Sequence, residues 1–384
     1  MASNSDRLRP IFDALSSLIG RSGVVTTSAP QVRSGLDMRR VMAIVLIALL
    51  PCVLAALYNT GYQANFTLVE EVGDLYPEGW RGSVMSLLGI EANPENLSSN
   101  IVHGGLWFFP VWIVSLAAAF LWELLFAVIR RRDMSEAVFV TSLMFALILP
   151  PAIPLWQAAL GISFGTVFGK EVFGGLGMNI LNPALVGRAF LFFAYPSGSV
   201  GEEIWVPVDG ISRATPLFEF ADAGEMAVTW SQAFLGLIPG SMGETSALAC
   251  VIGAVILVVT GIASWRIMLS VVAGAVGLAF VLNGIGSDGV MMFQMEPHWH
   301  LVLGGFAFGT VFMATDPVSS ARTSKGQVVY GLLIGILTIL VRVVNPAYVE
   351  GMMLAILFAN VFAPAIDRTF IRGNIKRRRL RNAA

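Results

Sequence analysis

The chain has 384 residues, of which 56% are hydrophobic and 13% are charged, and its formal net charge is −1. Soluble proteins carry roughly 25% charged residues, and a soluble fold of this length would need more polar side chains on its surface. The composition therefore excludes a soluble enzyme, a nucleic-acid-binding protein and a disordered chain.

Residues 1–40 form a basic segment without a long apolar run, so they do not match a cleavable signal peptide. Apolar residues recur in this segment at helical spacing, which predicts a short amphipathic helix. Such a helix would lie either on the cytoplasmic membrane surface or against a partner subunit, and the pattern fits both. The apolar stripe consists of Leu8, Ile11, Phe12, Leu15, Leu18 and Ile19.

Ten apolar runs follow, and each is interpreted as a span of the ~30 Å hydrocarbon core of a membrane. Lipid cannot satisfy the backbone of an isolated strand, so these runs predict helices. The fold class is therefore an all-α integral membrane protein with about ten transmembrane helices. The runs cover about 41–58, 106–129, 137–153, 155–169, 181–195, 245–264, 267–282, 300–314, 328–344 and 350–366.

Lys and Arg predict the orientation of these spans. With the N-terminus inside, twenty of the 24 basic residues fall in cytoplasmic segments, whereas the outer loops hold only Arg81, Arg213 and Arg342. Positive charge accumulates on the cytoplasmic side of membrane proteins. We therefore expect an even number of spans with both termini in the cytoplasm.

A repeated pattern divides the spans into two halves. The pentapeptide FGTVF occurs at residues 164–168 and again at 308–312, and Asn-Pro-Ala occurs at 182–184 and at 345–347. Halves of five spans have opposite orientations, and such inverted repeats hold ligand or ion sites near the midplane. The expected organisation is a first repeat at 41–195, an outer loop at 196–244, a second repeat at 245–366 and a basic tail at 367–384.

Three carboxylates within or beside the apolar runs are candidates for a sodium path. Glu123 lies late in the second span, Asp316 follows the second FGTVF element, and Asp367 ends the last span. Hard cations prefer carboxylate and carbonyl oxygens, and charges inside membranes mark functional sites by default. The alternative is that each carboxylate forms an ion pair or reaches the membrane interface.

Other chemistry-bearing residues give weaker patterns, and no catalytic residue is predicted. Cys52 and Cys250 lie in apolar runs and are interpreted as buried small side chains. His298 and His300 flank Trp299, which favours an interfacial belt over a metal or haem site. The glycines at 174–177 do not complete a dinucleotide-binding pattern, so NADH is not expected to bind this chain.

Several long stretches resemble a known family. They are residues 170–175, 182–184, 187–196, 298–309, 342–348 and 350–360. On these stretches the chain resembles the B subunits of sodium-translocating NADH:quinone oxidoreductases, the Nqr family. It is similar, more distantly, to the D subunits of Rnf complexes.

The resemblance implies that FMN is joined through its phosphate to a threonine on the outer side by a separate flavin transferase. Asp209, Ser212 and Thr215 match the target pattern, which makes Thr215 the expected attachment site. Arg213 stands where the family pattern has a small residue. This arginine would either hinder the transferase or pair with the attached phosphate.

The resemblance further implies a non-covalent riboflavin, for which Asn179 and Asn182 are the candidates. It places ubiquinone reduction on the inner side near Glu123 and the N-terminal segment, and it associates Glu123, Asp316 and Asp367 with Na⁺. The function implied is electron transfer to quinone coupled to Na⁺ transport, in a bacterial inner-membrane complex with subunits of the A, C, D, E and F types. The flavins would carry the redox chemistry.

Two other functions fit part of the pattern. A secondary ion or solute transporter also has inverted repeats and buried carboxylates, and it would move its substrate without NADH. A structural scaffold would tolerate replacement of Thr215 and of the carboxylates. An Rnf-type D subunit is a further alternative within the resemblance.

Overall fold

The computed structural model describes residues 38–196, 215–224, 226, 228–286, 291–344 and 351–383. The amphipathic segment, the second Asn-Pro-Ala, Asp209, Ser212 and Arg213 lie outside these residues. Fourteen helices and no strand occur in the described ranges. They are α1 Met38–Thr67, α2 Gly79–Leu88, α3 Leu97–Arg130, α4 Ala137–Leu147, α5 Leu155–Thr166, α6 Pro183–Ala194, α7 Pro216–Ala223, α8 Trp230–Leu235, α9 Ala247–Val259, α10 Trp265–Ile285, α11 Trp299–Val302, α12 Phe306–Phe308, α13 Ser324–Val344 and α14 Met352–Ala383.

Five of these helices, α1, α3, α10, α13 and α14, are long and apolar enough to cross a membrane. Three shorter apolar helices, α4, α6 and α9, pack among them. Large apolar side chains on the long helices face outward, among them Leu54, Leu121 and Phe280. Such surfaces belong in lipid. The prediction of an all-α integral membrane protein is confirmed, although five of the ten predicted spans are shorter or broken.

Glycines set the packing of the first two long helices. A Cβ at Gly61 of α1 would overlap the backbone carbonyl of Asn100, and one at Gly104 of α3 would overlap that of Leu57. Residue numbers run in opposite directions along this contact, so α1 and α3 are antiparallel. Small residues allow membrane helices to approach this closely.

The tightest pair in the second half, α10 and α13, is parallel. A Cβ at Gly331 would lie 2.7 Å from the carbonyl oxygen of Ile267, and one at Gly335 would overlap that of Val271. Residue numbers therefore rise together along both helices. The chain between them must return to the side where α10 begins, so the broken segment at 299–313 crosses back.

Both FGTVF elements overlap a π-helical turn, at Val167–Glu171 and at Gly309–Met313. The helices that follow differ, because α6 comes next in the first half whereas α13 precedes the final helix in the second. Each matched element thus overlaps a π turn, but the turn starts at the fourth residue of the first element and at the second residue of the second. Wide π turns are frequent at functional sites.

Cys52 of α1 and Cys250 of α9 are both fully buried, and their sulfur atoms lie 3.9 Å apart. The expectation of buried small side chains is thus met, and the structure adds their mutual contact. We predict that a water-soluble maleimide modifies neither thiol in the folded protein and both after denaturation, as measured by mass spectrometry. Modification of either thiol in the folded protein would contradict the packing of α1 on α9.

Candidate functional site

Two cavities lie at opposite ends of α9. The first includes Leu257 and Ile262 in its wall, near the end of the helix. The second includes Thr245, just before the helix begins. A helix rises 1.5 Å per residue, so twelve residues separate the two walls by roughly 18 Å along the axis.

The first cavity, called the amide cavity below, gathers residues from both halves of the chain. Its wall includes the predicted residues Asn179 and Asn182 from the first half and Asp316 from the second, and it also includes Lys170. These residues follow the two FGTVF elements, where the helices break. These breaks place polar side chains within the membrane, where unbroken apolar helices would present only apolar side chains.

The two asparagines of the amide cavity have different partners. Asn182 caps α6, since its side-chain oxygen accepts a hydrogen bond from the backbone nitrogen of Ala184 at 3.0 Å. Asn179 donates to the carbonyl of Leu181 at 3.0 Å. Its own buried Oδ1 accepts no hydrogen bond from the residues that the structure describes. Asn179 thus offers a buried acceptor to a ligand N–H group.

Glu123 lies beside the amide cavity and is buried against Lys170. The Lys170 ammonium group is hydrogen-bonded to Glu123 Oε1, with side-chain exposures of 2% and 5%. The next residue, Glu171, is fully buried and is paired with Arg132. Sequence reasoning singled out Glu123 and missed Lys170 as its partner, because 47 residues separate them.

Asp316 and Asp367 serve local structure. Asp316 accepts hydrogen bonds from the backbone nitrogen of Val318 at 3.1 Å and from the hydroxyl of Ser319 at 2.8 Å. Asp367 accepts from the backbone nitrogens of Arg322 at 2.7 Å and Thr323 at 3.0 Å. Asp367 therefore ties α14 to the start of α13.

The three candidate sodium ligands do not form one cluster. Asp316 shares the wall of the amide cavity with Lys170, the partner of Glu123, whereas Asp367 holds the α13 terminus. Across the described ranges, no three His, Cys, Asp or Glu residues are grouped as a metal site would require. A cation at any one of these carboxylates would need carbonyl or amide oxygens as further ligands.

The second cavity, called the threonine cavity below, begins at Thr215. Thr215 is the N-cap residue of α7, and its side chain makes no capping hydrogen bond. Leu217, two residues later, is buried against Gly304. Gly304 and Gly305 both have positive φ, at 62° and 67°, and their missing side chains leave room for the cavity.

A buried ion pair forms part of the threonine cavity. Arg188 Nη1 lies 2.7 Å from Glu244 Oε2, and Arg188 Nη2 donates to the Ser241 hydroxyl at 3.3 Å. Glu244 and Ser241 both line the cavity. The sequence offered one signal for this pair, namely an arginine inside an apolar run, because such charges are rarely tolerated without a function.

Arg342 lies against Gly304, one of the residues that line the threonine cavity. It is fully buried and donates to the carbonyl oxygens of His300 at 2.9 Å and Leu303 at 2.8 Å. Its placement in an outer loop was wrong, because α13 extends through Val344. The interfacial-belt interpretation fits the exposed His298 but fails for His300, which is buried against Arg342.

Known proteins share this sequence over nearly its whole length. The model of the NQR2, RnfD, RnfE family matches residues 25–376. The chain belongs to this family. It is 51% identical over 379 residues to the B subunit of the Na⁺-translocating NADH-quinone reductase of Ectopseudomonas mendocina, covering 97% of this chain and 94% of that protein.

Two further members of the family show the same similarity. The B subunit of the Chromohalobacter salexigens reductase is 50% identical over 383 residues, covering 99% of this chain and 93% of its own. That of Klebsiella pneumoniae is 47% identical over 391 residues, with 98% and 95% covered. These relatives are named as subunits of an oxidoreductase complex, and the match extends across both cavities.

Proposed function

We propose that the chain is the B-type subunit of a sodium-pumping NADH:ubiquinone reductase in the bacterial inner membrane. It would work with subunits of the A, C, D, E and F types and would have both termini in the cytoplasm. The observation that carries the proposal is the pairing of two cavities at opposite ends of α9, in a chain about half identical to such subunits. NADH would be oxidised in another subunit.

The threonine cavity fits the attachment of FMN to Thr215. An acceptor hydroxyl must be available to the flavin transferase, and the Thr215 side chain is not engaged in capping α7. The cavity beside it is lined by Ser241, Glu244 and three glycines, so a phosphate group can approach the backbone closely. Asp209 and Ser212 would belong to the segment that the transferase recognises.

The amide cavity fits a non-covalent riboflavin. Flavin rings carry an N–H donor, and the buried Oδ1 of Asn179 accepts no bond from the described residues. Asn182 holds the start of α6 in place and thereby fixes the cavity wall. Bound flavins supply the electron transfer, while the protein binds them, orients them and excludes water.

We place the sodium and quinone sites at the same end of the molecule as the amide cavity. Lys170 neutralises Glu123 there, and Asp316 adds a carboxylate to the cavity wall. A cation approaching Glu123 would have to displace the Lys170 ammonium group or share the carboxylate with it. Ubiquinone would be reduced near the adjoining face of α3.

Asn179→Ala tests the amide cavity. We expect non-covalent flavin extracted by acid from the purified complex to fall about tenfold, since losing one buried hydrogen bond costs on the order of 1–3 kcal/mol. Covalent flavin should stay unchanged. Asn96→Ala, which alters an exposed cap of α3, is the matched control. Equal flavin content in the two variants would contradict the assignment.

The transporter alternative is tested with the isolated chain in sealed vesicles. A secondary transporter would carry Na⁺ down a gradient without NADH or quinone, whereas a redox subunit would not. Identity of about one half to named reductase subunits over nearly the whole chain favours the redox subunit.

A further inference from the structure

A groove lies between the first turns of α10 and α13, at the end where these parallel helices both begin. Ser264, just before α10, donates a hydrogen bond from its hydroxyl to Gln327 Oε1 of α13 at 2.8 Å, so the two helix starts are nearly level. Each first turn contributes one cation to the groove, Arg266 from α10 and Lys325 from α13, and α14 contributes Phe370. Three membrane-spanning helices thus form this groove, which shares no described lining residue with either cavity.

Apolar side chains follow the two cations towards the middle of each helix. On α10, Leu269 lines the groove three residues after Arg266. On α13, Val328 and Val329 line it three and four residues after Lys325. These apolar side chains are 59%, 40% and 43% exposed, respectively. The groove therefore has a charged end and apolar walls, which matches a phospholipid whose phosphate lies at the membrane surface and whose acyl chains lie within the membrane.

The two cations are exposed, and within the described ranges neither Arg266 nor Lys325 forms an ion pair with a carboxylate. Asp367, on the neighbouring part of α14, instead accepts hydrogen bonds from the backbone nitrogens of Arg322 and Thr323. The first turns of α10 and α13 contain no acidic residue. Cations at a helix N-terminus are unfavourable for the helix itself. These two charges therefore do not stabilise their own helices, and they are suited to an anion bound in the groove.

We propose that the groove binds one anionic phospholipid, with its phosphate between Arg266 and Lys325 and its acyl chains along the apolar walls. Because Ser264 is level with Gln327, the two cationic residues are offset by roughly 6 Å along the helix axes, and both long side chains can reach one phosphate group. A zwitterionic headgroup carries its own ammonium group, which the two cations repel. Basic pockets between membrane helices bind anionic headgroups in this way.

Trp265 reports whether a lipid occupies the groove, because its exposed indole lines the groove and lies beside the Arg266 guanidinium group, 5.6 Å from the ring centroid. The test places the purified complex in phosphatidylcholine nanodiscs that contain increasing amounts of phosphatidylglycerol with brominated acyl chains, since bromine quenches tryptophan fluorescence on contact. The difference between the unaltered complex and Trp265→Phe isolates this indole. We expect phosphatidylglycerol to bind roughly thirtyfold more tightly than phosphatidylcholine, because each nearby cation favours an anionic headgroup about fivefold.

Arg266→Gln combined with Lys325→Gln should abolish the preference for phosphatidylglycerol and leave the unfolding temperature unchanged, since both side chains are exposed. Arg372→Gln combined with Lys376→Gln removes two exposed charges of α14 outside the groove, and this matched control should keep the preference. Equal or absent quenching by the two lipids in the unaltered complex would overturn the inference, as would the same loss in the control. Loss of another subunit from the groove variant would also overturn it, because the groove would then hold a protein partner.

Discussion

A Thr215→Ala variant will carry no covalent flavin. The phosphoester bond requires a hydroxyl oxygen, and alanine offers none. Thr215 makes no capping hydrogen bond, so the substitution should leave α7 and the rest of the fold intact. We expect complete loss of flavin fluorescence from the protein band in a denaturing gel, with the protein level in the membrane unchanged.

Thr229 supplies the matched control for this variant. It is also an N-cap threonine in the same region, but its side chain forms a capping box with Gln232. Thr229→Ala should therefore weaken α8 by about 1 kcal/mol and retain the flavin. Fluorescence that survives in Thr215→Ala, or disappears in Thr229→Ala alone, would exclude Thr215 as the attachment site.

Lys170→Met will strongly destabilise the protein. The substitution leaves the Glu123 carboxylate buried without the ammonium group to which it is bonded. Removing one partner of a buried ion pair typically costs about 3–5 kcal/mol, whereas replacing both partners with neutral groups is close to neutral. We therefore expect Lys170→Met to unfold at a clearly lower temperature, and Glu123→Gln with Lys170→Met to recover most of the loss.

Cys52 and Cys250 provide the measurement, because both thiols are buried in the folded protein. A thiol-reactive fluorophore will report unfolding as the temperature rises. If the single and double variants unfold at the same temperature, the Lys170–Glu123 pair does not contribute as proposed.

The long helices could be predicted from the sequence because a continuous apolar run of sufficient length by itself indicates a membrane-spanning helix. The broken segments could not be delimited in the same way. Residues 300–314 read as one span, yet they fold as two short helices separated by Gly304 and Gly305 and followed by a π turn. Hydropathy averages over such breaks, so it detects the crossing and misses the cavity that the break creates.

The assembly of the candidate site could not be predicted from the sequence. The family resemblance named Asn179 and Asn182, the residue pattern named Asp316, and the structure places all three around the amide cavity. The partners of charged groups lie far away in the chain, since Arg188 meets Glu244 across 56 residues. No local pattern encodes such a contact; helix packing creates it.

The sequence also misjudged where some polar side chains go. Arg342 and His300 were placed at the membrane surface because charged and aromatic residues concentrate there. In the structure they are buried against each other, and backbone carbonyls exposed by the broken segment satisfy the arginine. A local break in the helix thus allows a charge to be buried where the composition predicts an exposed one.

In our proposal this chain carries two flavins, one in each cavity. Its most direct test is the flavin content of the complex purified from cells with an active flavin transferase. We predict FMN on the peptide that contains Thr215, found by mass spectrometry, and an equimolar riboflavin released from this subunit by denaturation and diminished by Asn179→Ala. A subunit with an unmodified Thr215 peptide and no released flavin would contradict the account.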